Sequence, residues 1–413
     1  MSAHRELPTP PPLDLSRWRG VPMWLMLIGG LGAAIGWAVP SLRQQFAYSW
    51  LLAFMFFLSL CLGGMFLVLI HHLFDASWSV AIRRFEEHIA CLLPVMAALF
   101  IPIAIFAPSI YPWMKLDPHA DHALHAKQPL FTIPMFYVIA AFCFLAWWFF
   151  SRQLRSWSLK QDETGAALCT FKLRKWSAIG IFFFAVTLTL AAIMWMKALQ
   201  HHWFSTMYGV YYFAGSVWTT IATVYMIAVL LQRSGPLRTV VHEETYYFLG
   251  SLQLAFTVFY AYIHFSQYFI IWNANMPEET FWYVLREKGS WWYIGMVIIF
   301  GHFFLPFLLL LRIDWKLKLP MMAFIWAWAW LMHFVDLSFN IMPVLHPDGF
   351  VLHWLDIACL AFIGGVLATV FIKSFAAHPP FPQKDPRFAE TLKVYVPPVS
   401  APVEPLAARG GGK

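Results

Sequence analysis

The chain has 413 residues, 60% of them hydrophobic and only 12% charged. Soluble domains carry about 25% charged residues, so this composition, with a mean hydropathy of +0.63, excludes an ordinary soluble globular protein. The formal net charge of +7 belongs to membrane topology and anionic lipid head groups, and nothing in its pattern favours nucleic acid.

Ten apolar runs follow in chain order: Met23–Val39, Ala47–His71, Ile89–Tyr111, Phe131–Phe150, Trp176–Met196, Gly209–Leu231, Tyr246–Trp272, Trp291–Leu311, Pro320–Met342 and Trp354–Phe375. Each approaches or exceeds the roughly 17–25 residues that cross a bilayer core. Lipid offers no partner for free backbone groups, so spanning segments are helices or closed barrels. Continuous apolar runs without period-two alternation predict helices, hence an all-α polytopic membrane protein. The polar, proline-rich PTPPPLDLSRWRG before the first run is a poor cleavable signal, and that helix is expected to stay.

Basic residues predict the orientation. Of the 28 Lys and Arg, ten helices place Arg43, Lys115, Lys127, Lys197, Arg286 and Lys288 on one side and leave the other 22 on the side of the termini. Positive residues stay cytoplasmic, so both termini are expected inside. The organisation expected is a proline-rich N-terminal segment at 1–22, a membrane domain at 23–375 and a proline-rich tail at 376–413. The tail, HPPFPQKDPRF…VYVPPVSAPVEP, is extended in character and is expected either loose or laid along a partner. Gly32 with Gly36, Gly63-Gly64 and Gly364-Gly365 mark close helix approaches.

Five cysteines, Cys61, Cys91, Cys143, Cys169 and Cys359, stand singly. Without CxxCH or CxxC, the chain attaches no c-type haem and builds no iron–sulfur centre, and the thiols read as buried and reduced.

Polar residues inside the runs are the candidates for chemistry, because such groups are costly in lipid and face a protein interior or a water path. The second helix ends with His71, His72 and Asp75, and the third begins with Arg83, Arg84, Glu86, Glu87 and His88. These residues read as a cytoplasmic mouth for protons or as an ordinary charged helix end. In the loop 112–128, His119, His122 and His125 beside Asp117 and Asp121 have a metal-like spacing. A solvated cap is the expected reading there, and no metal site is assigned. The sixth helix carries Ser216, Thr219, Thr220 and Thr223, which read as interhelical hydrogen bonding. In the seventh, Gln253, Thr257, Tyr260, His264 and Gln267, with Tyr268, fall on one face. His302 lies midway along the eighth helix. In the ninth, His333, Asp336 and Asn340 share a face, and Asp336 is a functional candidate as an intramembrane carboxylate. His353 and Asp356 open the tenth. Haem ligation needs paired histidines on facing helices, and the deep histidines follow no such pattern.

Four blocks carry a resemblance: ASWSVAIRRFEE (76–87), YGVYYFAGSVWTT (208–220), HFSQYFIIWNANMPEETFWY (264–283) and VDLSFNIMPVLHPDGF (335–350). They resemble the second quinone-binding subunit, a ten-helix protein, of bacterial alternative complex III, a quinol:cytochrome c oxidoreductase. That family belongs to the NrfD-like, polysulfide-reductase membrane-subunit superfamily. The resemblance covers nearly the whole chain except the proline-rich ends. It implies two four-helix bundles, helices 2–5 and 6–9, with helices 1 and 10 peripheral, in the bacterial inner membrane. It implies partners: a paralogous ten-helix subunit, an iron–sulfur periplasmic subunit, multihaem and monohaem cytochromes c, and small membrane subunits. Haem c and iron–sulfur clusters would sit in those partners, with menaquinol or ubiquinol as reductant.

With that resemblance, Asp336, His333, His264 and Gln267 form a candidate outer half-path for protons, and His71, Asp75 and Glu87 an inner one, with Asp356 near the outer surface; His302 either joins the relay or simply hydrogen-bonds a carbonyl. Tyr260, Tyr268 and His264 are alternatively placed to hydrogen-bond a quinone head group. The leading expectation is a subunit with no redox centre and no cofactor of its own, with a structural and proton-translocating role. The alternatives are a stand-alone proton-coupled transporter and a purely structural scaffold of the same complex.

Overall fold

A computed structural model describes residues 14–235 and 237–391. The first part of the N-terminal segment and the tail beyond residue 391 lie outside the described residues. The elements are helical throughout, with no strand among the described residues. They run α1 Gly20–Ala38, α2 Arg43–Phe74, α3 Arg83–Ala90, α4 Leu93–Leu99, α5 Ile101–Ile110, α6 His122–Ala126, α7 Ile133–Thr164, α8 Ala167–Ala191, α9 Tyr208–Arg233 and α10 Glu243–Ala274. They continue with α11 Pro277–Arg286, α12 Trp291–Val297, α13 Leu305–Leu310, α14 Ile313–Leu317, α15 Leu319–Ile341, α16 Trp354–Ala376 and α17 Phe388–Thr391.

Among the described residues nine helical spans are long and apolar enough to cross a membrane, and a tenth is made by α3–α5 taken together. The tenth is bent by 54° between Leu99 and Ile101, just before Pro102, which cannot donate to the preceding turn. Ile28, Leu145, Phe182 and Phe265 are mostly exposed on helix exteriors, the surface lipid would cover. The fold is that of an all-α, multi-pass membrane protein.

α2 organises the interior. It is buried along nearly its whole length and packs against α8, α9, α15 and α16. Its contact with α9 runs through Gly63, where an added Cβ would sit 2.1 Å from Thr220 Oγ1. α1 lies mainly against α16. Gly29 makes that approach possible, since a Cβ there would fall 2.4 Å from the Phe362 backbone nitrogen. α7 has 32 residues and is roughly 48 Å long, well beyond the roughly 30 Å hydrocarbon thickness. Its polar last turns, with Arg155, Ser158 and Asp162, enter the inner ion-pair network described below.

The start of the tail folds back on the same chain. Phe381 and Phe388 stack at 5.2 Å between ring centroids in a buried cluster with Leu15, Val80 and Phe375. Residues 377–391 therefore cover the end of the bundle that carries α3, instead of hanging free. Cys61, Cys143, Cys169 and Cys359 are buried and Cys91 is half-buried, all as free thiols.

Candidate functional site

α9, α10 and α15 meet around Asp336, and their periodicity selects which side chains do so. The face of α10 that carries Gln253, Thr257, Tyr260 and Gln267 is buried. On α15 the buried face carries His333, Asp336 and Asn340. From α9, Tyr208 and Tyr211 stand one turn apart and complete the group.

Asp336 Oδ1 accepts hydrogen bonds from the hydroxyls of Tyr211 and of Tyr260 at 2.7 Å. The Tyr260 hydroxyl also lies 3.3 Å from His264 Nδ1. Asn340 Nδ2 donates to the Tyr211 hydroxyl at 3.1 Å, and the Tyr208 hydroxyl donates to Asn340 Oδ1 at 3.0 Å. Tyr208, Tyr211, Tyr260, Asp336 and Asn340 are all buried. A carboxylate whose donors are two phenols, themselves hydrogen-bonded onward, is arranged to pass a proton between oxygens.

His302 takes no part in that hydrogen bonding. Its ring is sandwiched between Trp218, at 4.0 Å between centroids, and Tyr260, at 3.7 Å, and among the described residues neither ring nitrogen has a hydrogen-bond partner. It sits on a π-helical turn, Ile298–Phe304. Pro306 cannot donate to the His302 carbonyl, which favours such a widened turn, and the Trp328 indole caps the Gly301 carbonyl at 2.7 Å. His333 turns away from Asp336 and meets Ser59 Oγ at 2.8 Å through Nε2. Gln267 accepts from Ser205 at 2.7 Å and donates to the Tyr283 hydroxyl at 3.1 Å. The outer candidates thus divide: Asp336 and His264 share one chain through Tyr260, His302 is stacked on it, and His333 and Gln267 belong to other contacts.

Beside this chain lies a cavity of about 700 Å³ whose lining includes Tyr260, His264, Tyr268, Arg286 and Phe339. That volume lies within the range of small-molecule sites. Tyr262, Phe265 and Phe304 also line it and are exposed on the helix exterior, so it opens sideways, toward lipid. Arg286 forms part of its wall. It donates to the Phe339 carbonyl at 2.8 Å and the Asn340 carbonyl at 2.9 Å, and lies 3.4 Å from the Trp282 ring centroid. Burial pulls its pKa down to about 9, which leaves it charged at neutral pH.

Asp356 stands apart from this site. Its side chain completes a capping box at the start of α16 with His353 and accepts from Ser49 Oγ at 2.5 Å. Gln45 Nε2 donates to Ser49 at 3.1 Å, and its Oε1 meets His346 Nε2 at 2.8 Å.

The inner candidates belong to one dense ion-pair network. Glu87 is held by Arg83 at 3.0 Å, Arg84 at 3.2 Å, Arg155 at 2.7 Å and the Ser158 hydroxyl at 2.6 Å. His71 lies between Ser79 Oγ at 2.7 Å and Arg83 at 3.0 Å. Asp75, at the left-handed end of α2 with φ 54°, is paired with Arg174 at 2.7 Å and Arg387 at 2.5 Å. Asp385 from the returning tail closes on Arg83. Burial opposes the charge of Asp385, but Arg83, His71 and the Arg387 backbone N–H together outweigh it and hold the carboxyl below the usual carboxylate range. Among the described residues no hydrogen bond joins this network to Asp336. The hydroxyls of Ser216, Thr219, Thr220 and Thr223 donate to carbonyls one turn back in α9. These bonds are intrahelical, and two of the residues also make the interhelical bonds the sequence suggested: Thr220 donates to the Leu60 carbonyl at 3.3 Å, and Thr223 accepts from the Trp330 indole at 2.8 Å.

Sequence reasoning passed over Tyr211, Tyr208, Trp218 and Arg286. The one local signal was the tyrosine spacing in YGVYYF, since which helix faces Asp336 is a non-local property. No protein-family model matches this sequence, and no curated protein matches it.

Proposed function

We propose that the chain is a membrane subunit, without a redox centre of its own, of a bacterial quinol:cytochrome c oxidoreductase of the alternative complex III type. In this reading it lies in the inner membrane with both termini in the cytoplasm. Helices 2–5 and 6–9 form two bundles, with helices 1 and 10 outside them. The four sequence blocks support this assignment. Its partners are a paralogous ten-helix subunit, an iron–sulfur periplasmic subunit, multihaem and monohaem cytochromes c and small membrane subunits, which carry the haem c and iron–sulfur clusters.

Within that complex the chain's role is to move protons at the Asp336 cluster. One observation carries this reading: the Tyr260 hydroxyl is within hydrogen-bonding reach of both Asp336 and His264, linking a buried carboxylate to a titratable ring beside a cavity. The cavity supports a second reading. A quinone head group, of menaquinol or ubiquinol, would meet Tyr260, Tyr268 and His264 there, with its tail leaving sideways into lipid. The dense ion pairs around Glu87 support a third, a scaffold in which the charges only brace the helices.

Affinity isolation of the tagged chain from native membranes, in mild detergent, tests the assignment. Co-purification of a multihaem cytochrome c, an iron–sulfur protein and a second ten-helix subunit is the expected result. A lone, colourless chain would overturn it in favour of a stand-alone transporter.

A further inference from the structure

A second cluster lies away from Asp336, where the loop after α5 meets the turn after α8. Asp121 is fixed first. Its Oδ1 accepts the backbone N–H groups of Ala123 at 3.0 Å and Leu124 at 3.1 Å. Its Oδ2 faces two histidines from the other loop, His201 Nε2 at 2.8 Å and His202 Nε2 at 3.4 Å. The two imidazoles lie 4.0 Å apart between centroids, and one ligand atom from each of the three residues falls within 4.8 Å of the others. Lys127 donates to the carbonyl oxygens of His201, His202 and Trp203, which holds the backbone of the histidine pair in place.

We propose that Asp121, His201 and His202 bind one divalent transition-metal ion of the zinc class, joining the two loops. Zinc bonds to imidazole nitrogen and carboxylate oxygen of about 2.0–2.2 Å place tetrahedral donor atoms roughly 3.3 Å apart. The separations of 2.8 and 3.4 Å straddle that spacing, so small side-chain shifts admit the ion. Two imidazoles and one carboxylate suit zinc and neighbouring transition metals, whereas magnesium and calcium prefer oxygen donors. The carboxylate has the outer-sphere support that ligating carboxylates show, because its second oxygen is already hydrogen-bonded. His201 is buried and His202 is 58% exposed at its side chain, so one ligand is preset and the other remains reachable from solvent. The fourth position is left for water or for a group from a neighbouring protein.

The ion ties residues 80 positions apart. The histidine run 119–125 that drew attention in the sequence supplies none of its histidines; only Asp121 comes from that loop.

The test uses the full-length purified chain in detergent, without a polyhistidine tag, titrated with Zn²⁺ and with Co²⁺. One saturable equivalent is expected, with Co²⁺ giving the visible absorption of a tetrahedral site. His202→Ala, at an exposed position, and Asp121→Asn, which keeps the oxygen facing Ala123 and Leu124, should each weaken binding at least about tenfold. His119→Ala should leave it unchanged. Absence of saturable uptake, or equal uptake by wild type and His202→Ala, would overturn the proposal. Neither result depends on whether the chain belongs to a quinol-oxidising complex.

Discussion

At the residue scale, Asp336 matters because of what Tyr260 does with one hydroxyl. A phenol that donates to a buried carboxylate and also reaches an imidazole is a structural bond and, in the proposed function, a route for a proton. Tyr260→Phe keeps the ring stack on His302 and removes that bridge together with the 3.2 Å contact to the Tyr211 hydroxyl. A hydrogen bond to a charged group contributes about 1.5–3 kcal/mol, so Tyr260→Phe is expected to lose up to that much stability and to disconnect His264 from Asp336. Tyr211→Phe removes a donor to Asp336 but leaves the bridge. Thermal unfolding, read from labelling of the buried cysteines, gives the stability half of this comparison. An unchanged midpoint for Tyr260→Phe would mean that the hydroxyl contributes nothing to Asp336.

At the element scale, the small-residue contacts set which helices touch. α1 is held mainly by α16, and Gly29 lets the two backbones meet. Gly29→Leu should therefore loosen α1, since forcing bulk into a close-packed contact typically costs about 1–3 kcal/mol. The expected signs are a lowered unfolding midpoint and new protease cuts between α1 and α2. Wild-type behaviour would show that α1 contributes little to stability. The ten apolar runs made the elements themselves legible, and Gln253, Thr257, Tyr260 and Gln267 in the seventh run do form the buried face of α10. Two features were not legible. The third run contains Pro94 and Pro102, yet their presence alone does not place the 54° bend. The stripe on α10 also needed Tyr211 from α9 to become a site, and helix rotation and neighbour choice follow from packing of the entire bundle.

At the scale of the whole molecule, the first part of the tail, residues 377–391, folds back on the bundle. Its proline content suggested a loose or partner-bound segment, but Asp385, Gln383 and Arg387 add bonds to Arg83, Asp162 and Asp75 at the end of the bundle. Gln383 N–H, for example, donates to Asp162 at 2.9 Å. Breaking a buried ion pair from one side costs about 3–5 kcal/mol, so Asp385→Ala should release the tail and open tryptic sites at Lys384 and Arg387. Acid should do the same. Because the native pKa of Asp385 lies below its unfolded value, its contribution is complete above about pH 4 and is lost as pH falls through the lowered native value. A spin label at Ala389 would report mobility rising over that window. A label equally immobile at pH 7 and pH 2 would show that tail docking is independent of this carboxylate.

Proton translocation per electron, measured in sealed vesicles of the quinol-oxidising complex, tests most directly the proposal that Asp336 moves protons within it. Asp336→Asn keeps the side-chain size and an oxygen to accept from Tyr211 and Tyr260, but cannot hold or release a proton near neutral pH. Normal assembly is expected, with translocation reduced by about tenfold or more, on the scale at which a positioned proton-transfer group contributes. Unchanged translocation and unchanged quinol turnover in a fully assembled Asp336→Asn complex would contradict it and leave the chain a scaffold.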